Sequence, residues 1–362
     1  MTVADPRLDA PPGIAARLLS SAAAWIFPLR GGRPRREEIR RVLVVRTDDR
    51  VGNALLTVPL ALALRDLLPA ARVDLLLARR QAFLAQGLPG LDVVAFEKTD
   101  AFKHPLRFVR FLRELRRRRY DAVIDAAHWH AFSLTSALLS RCAAGRWLVG
   151  AQRGPSRLYS AAVPPPPAGM PEVEAKLLLL RGLDLPQPGA PALRTGLGLD
   201  QAGWAGQAVR ALGRRFAVVN PGARKPDHRW PLERFASLAR ALHEAQGVRS
   251  LITWGPGEEM LAREVVERSG PAAVLAPPTD LAQLAALFRL ASLAITNDTG
   301  PMHLAAACGV PVLALLHAAE GARWIHPGPR FAALVSPGAA EAIQAAGRLL
   351  DSELSAAEPA RA

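Results

Sequence analysis

The sequence is poor in cysteine and in lysine, and each shortage closes off a class of protein. Cys142 and Cys308 are the only cysteines in 362 residues. They lie far apart in apolar or Ala-rich stretches, which excludes a disulfide framework and a cysteine-based metal site and suits a reducing compartment. Lysine occurs only at positions 98, 103, 176 and 225, so the net charge of +14 rests almost wholly on arginine. Arginine presents a planar fork suited to phosphate and carboxylate, although a genome that favours arginine would give the same bias. No stretch approaches the roughly twenty uninterrupted apolar residues of a membrane span. Basic segments with interleaved aromatics are missing too, so the charge is not read as a nucleic-acid surface. There is no short-period repeat, and no D-x-D pair to hold a divalent ion on a diphosphate.

What is present is a two-part alternation. Short runs of Val, Leu and Ile alternate with amphipathic stretches of helical length, the pattern of parallel strands joined by crossover helices. Strands are expected at Val42–Val45, Val73–Leu77, Val93–Phe96, Ala122–Asp125 and Trp147–Val149, then at Phe216–Val219, Ser250–Thr253, Ala273–Leu275, Leu293–Thr296 and Val312–Leu315. Helices are expected at Asn53–Leu68, Leu106–Arg118, Glu172–Arg181 and Leu232–Gln246. A proline-rich segment at Val163–Met170 and Gly- and Pro-containing sequence from Leu185 to Gly198 separate the halves. The expected division is a leader at 1–40, a first α/β domain at 41–185, a linker and hinge at 186–213, a second α/β domain at 214–350 and a tail at 351–362. Two doubly wound domains imply ligands held beyond the carboxyl ends of strands, in a cleft between the domains. In the leader, apolar Ile14–Leu29 with Trp25 and Phe27 precedes Arg30, Arg33, Arg35 and Arg36. That order fits an interfacial anchor on anionic headgroups; a signal peptide and a disordered leader are the alternatives.

The most informative segment is Leu293-Ala-Ile-Thr-Asn-Asp-Thr-Gly-Pro-Met-His-Leu-Ala-Ala-Ala-Cys-Gly-Val-Pro-Val. A strand runs into Asn297 and Asp298, and Thr299-Gly300-Pro301 opens a helix that ends at Gly309. Asp298 or Thr299 suits the N-cap and Pro301 the first turn. The free amides and positive dipole end of such a helix can hold a diphosphate, with His303 one turn inside. A well-capped helix with a buried histidine is the bland reading. A second strand leads into Val218-Val-Asn-Pro-Gly-Ala-Arg-Lys-Pro-Asp-His-Arg-Trp-Pro, where Arg224, Lys225, His228 and Arg229 crowd one loop. They converge on an anion if the loop folds back; otherwise it is a solvated basic loop. A third turn, Thr253-Trp-Gly-Pro-Gly-Glu-Glu, puts Glu258 where a carboxylate can accept from a ribose, or merely satisfy a helix dipole.

These three segments resemble the donor half of glycosyltransferase family 9, the ADP-heptose:lipopolysaccharide heptosyltransferases, and the resemblance covers most of residues 41 to 336. It implies a GT-B fold and an inverting transfer without a metal or other cofactor, from a nucleotide sugar, ADP-linked, to a glycolipid or lipopolysaccharide-core acceptor. It further implies that Asp298, Thr299, Gly300 and His303 line the donor diphosphate and sugar. Gly222 and Ala223 approach the phosphates, with Asn220 before them a further candidate donor contact, and Glu258 meets the adenosine ribose. The family's usual lysine two residues before the tryptophan is here His228, so Lys225 or Arg229 takes over its charge.

The first half carries the family's other signature, as Arg46-Thr-Asp-Asp-Arg-Val-Gly-Asn-Ala-Leu-Leu-Thr-Val-Pro. Asn53 stands where the family has its general-base aspartate, and an amide cannot take a proton from an acceptor hydroxyl at neutral pH. Three readings stay open: Asp49, or Asp48, serves as base; Asn53 only orients the acceptor; or catalysis is lost and the protein is a silent binding or assembly module. Arg50 and Gly52 on this loop, with His128 and Trp129 after a later strand, are the candidate acceptor contacts, Trp129 by stacking. The two histidines His128 and His130 lack a third ligand, so no metal is expected. Leu106, Phe108, Phe111, Leu112 and Leu115 form an apolar stripe beside Arg107, Arg110, Arg113 and Arg116–Arg119, fit for core packing or for meeting phosphorylated lipid. The expected state is a monomer in the cytoplasm, peripheral on the inner membrane.

Overall fold

The computed structural model describes residues 14–29, 34–153, 158–189 and 192–357. The chain divides between residues 191 and 192 into two compact units.

In the first unit, helix α1 (Ile14–Ile26) precedes strand β1 (Arg41–Arg46). There follow α2 (Val51–Leu67), β2 (Arg72–Ala78), β3 (Leu91–Phe96), α3 (Asp100–Lys103), α4 (Pro105–Arg117), β4 (Tyr120–Asp125), α5 (Leu134–Ala143), β5 (Ala144–Ala151), β6 (Ala161–Val163) and α6 (Glu172–Leu177). All pairings are parallel and the strand order is β3-β2-β1-β4-β5-β6. Strands such as Val42–Val45 are buried along their whole length because helices cover both faces. Leu43, Val45, Leu76, Val123 and Leu148 pack with Phe96 and Leu115 as one core.

The second unit repeats the plan: α7 (Ala202–Ala208), β7 (Phe216–Asn220), α8 (Leu232–Gln246), β8 (Arg249–Ile252), α9 (Glu259–Ser269), β9 (Ala273–Leu275), α10 (Leu281–Leu290), β10 (Leu293–Asn297), α11 (Gly300–Cys308), β11 (Val312–Leu316), β12 (Phe331–Val335) and α12 (Ala339–Ala357). Its sheet is again wholly parallel, ordered β12-β11-β10-β7-β8-β9. Both sheets therefore place the first and fourth strands of their unit side by side. The chain winds away from that junction in opposite directions, so a crevice opens beyond the carboxyl ends of β1 and β4, and another beyond those of β7 and β10.

Several expectations change. Each sheet has six strands rather than five, because β6 and β12 escape a reading that looks for apolar runs. Both are edge strands with one neighbour, short or half-exposed, and need little apolar sequence. Residues 192–213, expected as linker, include α7, which packs on α10 in the second unit. The expected tail at 351–362 begins inside α12, and its residues beyond 357 lie outside the described set. The described part of the leader is likewise no detached segment: α1 packs on α5, and the buried Arg141 guanidinium donates to the carbonyls of Ala24 and Phe27. Arg30 and Arg33 lie outside the described residues. In the stripe of α4, Phe108, Phe111, Leu112 and Leu115 turn inward, but Leu106 is 83% exposed. No helix among the described residues is long and apolar enough to cross a membrane.

Candidate functional site

The crevice of the second unit is assembled around a side chain whose burial is complete. Asn297 ends β10 with no exposed surface. Its Nδ2 donates to the carbonyls of Pro221 (2.9 Å) and Gly222 (3.2 Å), and its Oδ1 accepts from the backbone N–H of Trp230 (2.9 Å). One amide thus ties both ends of the basic loop after β7 to the turn after β10. Trp230 is anchored further by its indole N–H on the Pro337 carbonyl at 2.9 Å and by edge-to-face packing on Phe235. Of the loop residues, Arg224 and Lys225 are exposed, while His228 and Arg229 are half-buried. The His228 ring stacks on that of His317, 5.0 Å between centroids.

Glu258 joins the third turn to the same place. A Cβ at Gly222 would lie 2.0 Å from its Oε2, so only glycine lets this carboxylate approach the loop backbone so closely. Glu258 accepts from the Gly255 N–H at 3.2 Å, and Arg229 Nη2 lies 3.8 Å from its other oxygen. Arg229 also donates to the Ala223 carbonyl at 3.0 Å. Asn220 differs from these. It is buried, with its Nδ2 directed at Thr253 Oγ1 (3.3 Å), so its amide joins β7 to β8 rather than facing the crevice.

Helix α11 starts without a side-chain cap. Thr299 occupies the N-cap position with extended backbone, but its hydroxyl is aimed at the Asn297 carbonyl (3.3 Å) and not at the helix amides. Of the two N-cap candidates in the sequence the structure thus selects Thr299, without the side-chain hydrogen bond that usually accompanies that position. A helix start without a cap offers its amides and dipole end to an incoming anion. Asp298 beside it has its pKa raised by burial, a shift that His228 opposes. His303, one turn in, is buried, and its Nδ1 meets Nε2 of His326 at 2.9 Å. Burial holds both rings neutral, His303 well below the ordinary histidine range and His326 at about 4.

The crevice of the first unit is built from charges instead. Buried Arg46, at the end of β1, pairs with Asp48, donates to the Ala126 carbonyl at 2.7 Å and contacts His128 Nε2. His128 Nδ1 meets Glu172 Oε1 at 2.5 Å, and Lys176 Nζ lies 3.2 Å from the same oxygen while donating to the carbonyls of Ala126 (2.7 Å) and Ala127 (2.8 Å). Burial and the neighbouring cation Lys176 push His128 down to about 2, and burial lowers Lys176 to about 8. Asp125, at the end of β4, is buried under Ser136 and Tyr159, whose hydroxyls donate to it at 2.6 and 2.8 Å.

On the loop between β1 and α2, Asn53 Nδ2 donates to Asp48 Oδ1 at 2.8 Å, and the Arg50 N–H donates to the same oxygen at 3.1 Å. Asp48 is thereby committed to holding the loop. Asp49 is exposed; Gln81 Nε2 fixes its carbonyl at 2.8 Å, and among the described residues its carboxylate has no partner. Arg50 is exposed and Gly52 buried at the helix start. Two acceptor contacts expected from sequence are corrected. Trp129 is 6% exposed, its indole N–H donates to the Val163 carbonyl at 3.1 Å, and so the ring is not offered for stacking. His128 is turned into the ion-paired cluster.

Glu172 also supplies the third ligand missing from the sequence, because the ligand atoms of His128, His130 and Glu172 lie within 4.8 Å of one another. Both nitrogens of His128 are already engaged, however, and buried Arg46 and Lys176 place two positive charges where a cation would sit. These side chains do not suit a divalent ion.

Comparison with known proteins adds an independent line. The model of glycosyltransferase family 9 (heptosyltransferase) matches residues 108–336. Lipopolysaccharide heptosyltransferase 3 of Escherichia coli is 26% identical over 289 residues, covering 75% of this chain and 82% of that protein. Among solved structures, a family 9 glycosyl transferase from Veillonella parvula superposes with a TM-score of 0.73 at 19% identity, covering 89% of this chain and all of that one. The E. coli heptosyltransferase WaaC with ADP gives 0.65 at 23% identity, covering 83% and 94%. At these identities the structures speak for the fold alone, and the fold is that of the two-domain GT-B-type transferases.

Proposed function

The chain belongs to glycosyltransferase family 9 (heptosyltransferase) and is a glycosyltransferase, and on that premise we propose that it moves a heptose-like sugar from an ADP-linked donor to a lipopolysaccharide-core or related glycan, with inversion and without a metal. The observation that carries this reading is the way Asn297 closes the basic loop against the uncapped start of α11. Glycosyl transfer passes through an oxocarbenium-like transition state while negative charge grows on the departing diphosphate. Amides already fixed at a helix start, with Lys225, Arg229 and Arg224 on the facing loop, stabilise that charge with little reorganisation. Glu258, set against the backbone of Gly222, accepts from the ribose.

Asp49 removes the proton from the acceptor hydroxyl. It is the loop carboxylate with no other task, whereas Asp48 is spent on Arg46, Asn53 and the Arg50 amide. Asn53 acts through Asp48, keeping the loop in shape. Replacing Asp49 with Ala lowers kcat about 10²–10⁴-fold, the range for a general base, and leaves thermal stability unchanged; replacing Asp48 with Ala lowers stability as well. If Asp49→Ala turned over normally with ADP-heptose and a core-oligosaccharide acceptor, this assignment would be wrong.

The same unit carries exposed apolar and basic surface suited to a lipid-borne acceptor. Leu18, Leu19, Trp25 and Ile26 on α1 are exposed, as are Phe102, Leu106 and Val109 on and beside α4. Arg107, Arg110 and Arg113 stand exposed around the latter three. Near an anionic bilayer each such basic residue adds about 1 kcal/mol. Sedimentation with vesicles containing anionic lipid, but not with neutral ones, is the expected result, and equal binding to both would remove the electrostatic part. On this reading the protein works in the cytoplasm, at the inner face of the membrane.

A further inference from the structure

His326 lies outside every motif that marks the crevice of the second unit. It sits 23 residues beyond His303, in the segment between β11 and β12, and is 7% exposed. Its ring stands edge-on to both His303 and Phe331, with 5.0 Å between centroids in each case. Its Nε2 meets His303 Nδ1 at 2.9 Å, and its own Nδ1 is buried with no hydrogen-bond partner.

Both rings are neutral, so each carries one proton, and the pair has two arrangements. In one, His326 donates from Nε2 and its orphaned Nδ1 is a bare lone pair. In the other, His303 donates from Nδ1 and the orphan at His326 is a buried N–H. A buried donor with no acceptor is the rarer and more costly defect. The first arrangement is therefore favoured, and it leaves the proton of His303 on Nε2. Among the described residues that nitrogen has no partner, and it is not among the sealed, unpaired atoms. It stands one turn inside the helix start where the diphosphate is proposed to bind.

We propose that His326 is a positioning residue: by donating to His303 Nδ1 it fixes the ring and the tautomer of His303, so that His303 presents a neutral Nε2–H donor to the anionic donor substrate. This rests on the reading that the start of α11 binds the nucleotide diphosphate, but its first test does not. Long-range ¹H–¹⁵N correlation spectra of the nucleotide-free full chain report which nitrogen of His303 is protonated. The expected result is a proton on Nε2 and a hydrogen-bonded acceptor at Nδ1, with the acceptor shift lost in His326→Phe and recovered in His326→Gln, whose side-chain amide donates from a similar reach. A proton on His303 Nδ1, or a spectrum unchanged in His326→Phe, overturns the proposal.

ADP binding by calorimetry separates the two readings. If wild type binds ADP, His326→Phe weakens it about tenfold and His326→Gln restores most of the loss; equal affinity in all three overturns the positioning role. Failure of wild type to bind ADP overturns the diphosphate reading and leaves the tautomer result standing by itself.

Discussion

The two crevices occupy equivalent places in two sheets of the same strand order, yet they are held together by opposite means. Beyond β1 and β4 the bracing groups are ions: buried Arg46, Glu172 and Lys176, with half-exposed Asp48 paired to Arg46 and His128 wedged among them. Beyond β7 and β10 they are neutral: Asn297, Asn220, His303 and His326. The cations there stay on the loop rim, at Arg224 and Lys225. If the second crevice receives the diphosphate, as proposed, an uncharged buried scaffold keeps its cations accessible, whereas a buried ion pair would leave no positive charge to offer. On the proposed function, a crevice that receives an uncharged hydroxyl can be braced by ion pairs and needs one unpaired carboxylate, the part proposed for Asp49.

The contrast predicts unequal damage. Glu172→Ala should be the most disruptive, since it leaves Lys176 buried and uncompensated; unfolding in urea should show a loss of about 3–5 kcal/mol, as for other broken buried pairs. Replacing Glu172 and Lys176 together with apolar residues should cost less than Glu172→Ala alone.

Acid comes next. His128, His303 and His326 have pKa values depressed below those of the unfolded chain, so the unfolded state binds protons first. Their contribution to stability is complete above about pH 6.5 and is lost as pH falls, toward about 4 for His326. Stability that stayed flat between pH 6.5 and 4 would show that these rings are not buried neutral.

Asn297→Ala strands the Trp230 N–H and two carbonyls, at about 1–3 kcal/mol for a buried unsatisfied group. Unlike Glu172→Ala, it should also weaken ADP binding, which calorimetry would detect. Gly222→Ala should have the smallest effect on folding, because the clash is with the carboxylate end of Glu258. Displacing Glu258 from the ribose should raise the Kd for ADP about tenfold, or about 1.4 kcal/mol; an unchanged Kd would remove Glu258 from the nucleotide site.

How much of this was legible beforehand follows the same division. The turn after β10 could be read because strand, small residues, proline and helix are local in sequence, and its neighbours Gly222 and Glu258 lie on similar turns. The braces could not. Glu172 and Lys176, four apart on a short helix, look like an ordinary surface pair, and only the fold buries them against Arg46 and His128. His326 and His317 sit in a segment with no regular pattern and reach the crevice by tertiary contact alone. Trp129 followed a strand end and resembled a stacking platform; burial against Val163 was decided by β6, a three-residue edge strand that the proline run beside it obscured.

Where the nucleotide lies distinguishes the two crevices most directly. A crystal structure of the protein with ADP should place the diphosphate against the Gly300 amide and the loop of Gly222 and Lys225, with the ribose at Glu258 and no ion bridging the phosphates. A diphosphate bound among Arg46, Lys176 and His128, or held through a metal ion, would contradict it.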